Sequence, residues 1–91
     1  MIDNRHYGKH RIQAIEIAWE WDLTPEEFSC IKYIERAGDK PGNTYNNDIL
    51  KAIWFLGAAL FKDRHKAQRL QEFASGLLFT TTTESDLNSI N

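Results

Sequence analysis

Thr24-Pro25-Glu26-Glu27-Phe28-Ser29-Cys30-Ile31-Lys32-Tyr33-Ile34-Glu35-Arg36-Ala37-Gly38 is a helix with both ends marked. Thr24 caps the start, Pro25 occupies the first helical position, and Glu27 stands three residues after the cap. This is a capping box, in which a hydroxyl and a carboxylate satisfy backbone N–H groups that lack partners inside the helix. Gly38 supplies a left-handed residue at the other end, so the helix is predicted to run to Ala37. Phe28, Ile31 and Ile34 are placed on its core face, flanked by Cys30, Tyr33 and Ala37.

Helical spacing continues on both sides. Upstream, Ile12, Ile15, Trp19 and Leu23 recur three and four apart, predicting a helix from about Arg11 to Trp21. Downstream, Gly38 to Tyr45 is rich in turn residues. A helix then starts between Thr44 and Asn47. It runs through Ile49, Leu50, Ile53, Trp54, Leu56, Leu60 and Phe61, apolar around most of its girth, and so belongs at the centre of the fold. After the charged run Lys62-Asp63-Arg64-His65-Lys66, the residues Ala67, Leu70, Phe73, Ala74 and Leu77 resume the spacing. One long rod to about Ser75 and a break near Asp63 are both compatible with this pattern. The expected fold is all-α: one helical domain over residues 1–80, with three to four helices and a long C-terminal one, then a flexible tail over 81–91.

The chain has 91 residues, enough for one domain, and its three Trp, three Tyr and five Phe mark it as globular. A net charge of −2 argues against general nucleic-acid binding. The apolar stretch from Ala52 to Phe61 is too short to span a bilayer, and no secretory signal is visible near Met1. The single cysteine, Cys30, suits a reducing compartment. So much apolar surface on the last helices, in a chain this small, predicts a homo-oligomer with Leu50, Trp54, Phe61, Leu70, Phe73 and Leu77 at the contacts.

Candidate chemistry is of two kinds. Lys32 and Arg36 share a face of the second helix, Lys40 follows in the loop, and Lys51 lies near the start of the next helix. With His6 and Tyr7 they can gather around a phosphate, Arg as a fork of donors and Lys as a point charge. Spacing alone favours the plainer alternative, a solvated face paired with Glu35 or Asp39. Glu16 and Glu20, one turn apart, could hold magnesium together with Asp48, although an exposed acidic stripe is the commoner meaning of such spacing. Lys62, Arg64, Lys66 and Arg69 form a basic patch whose default is solvation. P-loop, nucleophile-elbow, zinc-protease and paired-cysteine signatures are absent.

The order of short motifs carries one resemblance. His6-Tyr7 precedes Ile12-Gln13-Ala14-Ile15-Glu16. Next come Ile31-Lys32-Tyr33, Arg36-Ala37-Gly38 and Lys40, and then Asp48-Ile49, Lys51-Ala52 and Trp54-Phe55-Leu56. From His6 to about Leu60 this resembles the SaV-like family of small bacteriophage proteins. Phe28-Ser29 stands where that family usually has Gly-Asn, and Gln13 and Glu16 where it tends to carry Glu and Asp. The family includes a phage nucleotide kinase that lacks a P-loop and acts on deoxynucleoside monophosphates as a large oligomer. The resemblance implies a nucleotide-binding surface at His6, Tyr7, Lys32, Arg36, Lys40, Asp48 and Lys51, and it makes the anion pocket the favoured reading. It also implies magnesium as the accompanying ion and the host bacterial cytoplasm as the setting. Three functions stay open: a nucleoside monophosphate kinase, a non-catalytic sponge for a nucleotide or cyclic nucleotide messenger of bacterial immunity, and a module that binds a host protein.

Overall fold

A computed structural model describes residues 10–79, which form four helices and, among the described residues, no strand. They are α1 (Ala14–Trp21), α2 (Pro25–Glu35), α3 (Tyr45–Phe61) and α4 (Arg64–Phe79). The helices pack in chain order: α1 on α2, α2 on α3, and α3 on α4. The fold is thus all-α, and α3 has the central place its girth of apolar residues demands. None of the helices is long and apolar enough to cross a membrane. The arm carrying His6 and Tyr7 and the tail over 81–91 lie outside the described residues.

Helix ends follow local chemistry. α1 begins at Ala14, three residues later than its apolar spacing predicts. Gln13 is extended, at φ −88° and ψ 153°, and its N–H donates to the Glu16 carboxylate at 2.8 Å. Ile12 therefore precedes the helix and is exposed. At the start of α2, Thr24 Oγ1 accepts the Glu27 N–H at 3.2 Å, and Glu27 Oε1 accepts the Thr24 N–H at 2.8 Å, closing the capping box. α2 ends at Glu35 rather than Ala37. Its last turn tightens, with the Ala37 N–H reaching the Ile34 carbonyl, and Gly38 is left-handed at φ 78°. Thr44 caps α3 through the Asn47 N–H at 3.1 Å.

The apolar run from Leu50 to Leu77 is not one rod. Lys62 turns left-handed, at φ 54° and ψ 36°, and its N–H closes α3 on the Ala58 carbonyl. Asp63 then accepts the His65 and Lys66 N–H groups at 2.8 and 3.1 Å and opens α4. A left-handed non-glycine residue costs about 1–2 kcal/mol. Contacts between α3 and α4 offset it. Gly57 is buried against the fully buried Ala67, and a Cβ added at Gly57 would lie 3.0 Å from the Ala67 Cα. Further along, Trp54 Nε1 donates to Gln68 Oε1 at 3.2 Å and Gln71 Nε2 donates to the Leu50 carbonyl at 3.0 Å. The two helices form an antiparallel hairpin.

Small side chains make the deepest layer: Ala14, Ala18, Cys30, Ala52 and Ala67. Tyr33 stacks on Phe55 with centroids 5.7 Å apart, and Trp54 meets Phe55 edge-on at 5.1 Å. Cys30, expected to flank the core face, is the most buried residue of α2, and Ile34, expected on that face, is exposed. Among the described residues no large side chain is fully enclosed.

Two measurements test this account. Gly57→Leu overpacks the α3–α4 crossing, and its unfolding free energy should fall by about 1–3 kcal/mol in urea titrations; an unchanged midpoint means that the helices do not meet there. The two N–H groups on Asp63 hold its carboxyl below the usual carboxylate range. A depressed folded-state pKa means that the cap stabilises α4 at neutral pH and that this contribution is lost as pH falls through that pKa. Helicity should therefore decline more in the parent than in Asp63→Asn, which keeps a capping oxygen without a titrating group, between about pH 5 and about pH 2.

Candidate functional site

The segment between α2 and α3 is organised by Asp48, which stands in the first turn of α3 and is only 3% exposed. One carboxylate oxygen accepts the Gly38 N–H at 2.9 Å, and the other accepts the Asn43 side-chain amide at 2.8 Å. Lys51 Nζ sits 3.7 Å away on the next turn. A buried carboxylate is tolerated because it is hydrogen-bonded and has a cation beside it. Gly38 is doubly suited to its place. Its left-handed φ favours glycine, and a Cβ there would come within 3.3 Å of the Tyr45 backbone.

With the loop held in this way, the end of α2 meets the start of α3, and a cation from each helix approaches the Tyr33 ring. The Arg36 guanidinium lies 5.6 Å from the centre of the Tyr33 ring, and Lys51 Nζ lies 5.5 Å from the same centre. Cation–π attraction fixes both heads without using up their hydrogen-bond donors. Tyr33 is itself fixed by its stack on Phe55. Lys32 stands 5.5 Å over Phe28, a different ring one turn back. Lys40 is an exposed loop residue whose carbonyl accepts the Asn43 N–H. Of the residues singled out from the sequence, Arg36, Lys51 and Asp48 are thus brought together. Lys32 and Lys40 sit at the margin, and His6 and Tyr7 lie outside the described residues.

The structure gives two of the candidate groups a different setting. Asp48 is buried, with both oxygens accepting from this chain's own donors, and it holds the loop. The magnesium group Glu16, Glu20 and Asp48 does not assemble, because α1 packs on α2 and makes no contact with α3. Among the described residues no three His, Cys, Asp or Glu side chains are grouped to hold a metal ion. Glu16 instead caps α1.

Lys51 also lines an open groove of about 870 Å³ between α3 and α4. Its walls carry Asn43, Asn47, Gln68, Gln71, Glu72 and Ser75, with Leu50 and Gly76 among them. These amides were not singled out from the sequence. Gln68, Gln71 and Ser75 are spaced three and four apart on α4, and that polar stripe was the available signal. Part of the amide capacity is used internally, by Leu50, Trp54 and Glu72. The volume is in the range of small-ligand sites, about 300–1,000 Å³.

The corner can hold an anion with two cations and offer amides to whatever extends along the groove. The Cys30 thiol is buried, and that burial pushes its pKa up. No protein family, curated protein or solved structure matches this chain.

Asp48→Ala strands the Gly38 N–H and the Asn43 amide. It should lower the unfolding free energy by about 2–3 kcal/mol, the scale of hydrogen bonds to charged groups. Urea midpoints measure it, with Asp48→Asn expected between that variant and the parent. A parent-like Asp48→Ala would mean that the loop is held by something else.

Proposed function

We propose that this chain binds a phosphorylated nucleotide, with the phosphate between Arg36 and Lys51 and the rest of the ligand along the α3–α4 groove. The observation that carries the reading is that these two cations share the Tyr33 ring while Lys51 also lines the groove. Arg and Lys heads held in place by an aromatic ring lose less freedom on binding, so more of each charge-assisted hydrogen bond appears as affinity. The likeness of the motif order to the SaV-like phage family points the same way, to a nucleotide or cyclic nucleotide ligand met in the cytoplasm of a bacterial host.

Within this reading, sequestration is favoured over phosphoryl transfer. A nucleotide kinase needs carboxylates free to hold magnesium or to orient the attacking oxygen. The carboxylate nearest the cations, Asp48, is already occupied by Gly38 and Asn43. Glu16 and Glu20 are on α1, which does not reach α3, and Glu72, the carboxylate in the groove wall, accepts the Gln68 amide. A phage protein of this kind acts by lowering the free concentration of a nucleotide messenger, with the ligand released intact.

Calorimetric titration with a panel of nucleoside monophosphates and cyclic dinucleotides, with magnesium present, tests both parts. Arg36→Ala and Lys51→Ala should each weaken the best ligand about tenfold or more, which corresponds to about 1.4 kcal/mol. Lys32→Ala should have a smaller effect, and Lys66→Ala on α4 should have little. Equal affinities for Arg36→Ala and the parent would refute the corner. A chemically altered nucleotide in the recovered ligand would make the chain an enzyme and reverse the preference for sequestration.

A further inference from the structure

Among the described residues two surfaces far apart in the packing order are left uncovered, and they are complementary. On α1, Ala14 and Ala18 face α2, which turns Ile15, Glu16, Trp19 and Glu20 outward. Trp19 is 73% exposed. A tryptophan carries roughly 150–250 Å² of mostly apolar surface, and leaving it in water forgoes its largest contribution. Around it the charges have one sign: residues 12–23 contain Glu16, Glu20 and Asp22 and no Lys or Arg.

At the other end, the hairpin of α3 and α4 forms an open groove of about 680 Å³. Phe61, Leu70 and Phe73 supply its apolar wall, and Lys66 and Arg69 stand at its side together with one acid, Glu72. Phe73 is 65% exposed. The charges here have the opposite balance: residues 62–69 hold Lys62, Arg64, Lys66 and Arg69 against Asp63. α1 packs on α2 alone, with α3 between α2 and α4, so a protomer's α1 does not lie against its own groove.

We propose that the outward face of α1 on one protomer docks in the α3–α4 groove of a second copy. Trp19 enters between Phe61, Leu70 and Phe73, and Glu16 and Glu20 pair with Lys66 and Arg69. Charge decides the arrangement. Packing α1 against α1 sets acid against acid, and packing groove against groove sets Lys66 and Arg69 of one copy against those of the other with only Glu72 to offset them, so both are penalised. The head-to-tail pairing alone brings opposite charges together over an apolar centre. A buried tryptophan ringed by arginine and acid pairs is also the usual composition of an energetic hot spot. Such a contact uses different surfaces on the two partners, so each end protomer keeps a free head or a free tail, and the assembly grows into a ring where the rotation between protomers closes and into an open filament where it does not.

The test exploits that asymmetry. Trp19→Ala removes the head and Phe73→Asp spoils the tail. Both side chains are exposed in the protomer, so circular dichroism should match the parent. By light scattering the parent should exceed the protomer mass of 10.6 kDa, and each variant alone should fall to or towards it. An equimolar mixture of the two retains one intact head and one intact tail, and should form a 1:1 complex of twice the protomer mass. Independently, Glu16→Lys with Glu20→Lys should dissociate the parent assembly. Adding Lys66→Glu and Arg69→Glu to the same chain should restore it. A parent at the protomer mass, as when the chain's own ends cover the groove, overturns the proposal. So does a mixture in which no complex forms, or an assembly that survives Trp19→Ala unchanged.

Discussion

The carboxylate of Asp48 holds together the part of the molecule that matters most. It gathers a backbone N–H from the end of one helix, a side-chain amide from the loop, and a lysine from its own helix. The nine residues between α2 and α3 have their own short turns, at Asp39 and Asn43, and Asp48 ties those turns to the helix that follows. With that tie, the end of α2 is pinned to the first turn of α3, and the Tyr33–Phe55 stack can form along the seam. The approach of both cations to Tyr33 depends on that seam, since fourteen residues of chain lie between Arg36 and Lys51. One acidic side chain thus acts on function indirectly, by setting where two basic ones stand.

The second constraint is steric. The interior is built from alanines, a glycine and a cysteine, with aromatic rings lying partly open around them. Small residues let helix axes approach closely, and the contact of Gly57 with Ala67 shows how closely. That approach turns a continuous apolar pattern into a hairpin, and it makes a left-handed Lys62 tolerable. It also sets the price of the architecture: large side chains that would have filled a thicker core remain at the surface, among them Trp19, Leu60 and Phe73.

What was legible in the sequence was mainly local. The capping box at Thr24 and the left-handed Gly38 are decided within a few residues, and the structure has both where the sequence placed them. The start of α1 was misplaced because Gln13 is an uncommon cap, and the deciding bond comes from Glu16 reaching back. The break at Lys62 left a faint trace in Asp63, a good helix-opening residue, but nothing local favours a lysine in the left-handed region. The contact that requires it pairs residues ten apart across the bend. In the site, the types and rough spacing of Arg36 and Lys51 were readable. The part played by Asp48 was not, because a carboxylate in the first turn of a helix reads as a ligand until its donors are known. Those donors, Gly38 and Asn43, lie ten and five residues upstream. The glutamines of α4 went unnoticed since amides carry no charge pattern to mark them.

Cys30 gives this architecture a property of its own. It is the one thiol in the chain, it is 4% exposed, and burial keeps it protonated beyond the ordinary cysteine range. Alkylating reagents attack the thiolate and need room to reach it. In the closed molecule both conditions fail, so modification proceeds through whatever opening exposes α2 to solvent. Where reclosing is faster than the chemistry, the labelling rate is the intrinsic rate scaled by the fraction of time spent open. The molecule therefore contains a built-in clock for its own breathing, read at a single atom. Anything that grips both α2 and α3 should slow that clock.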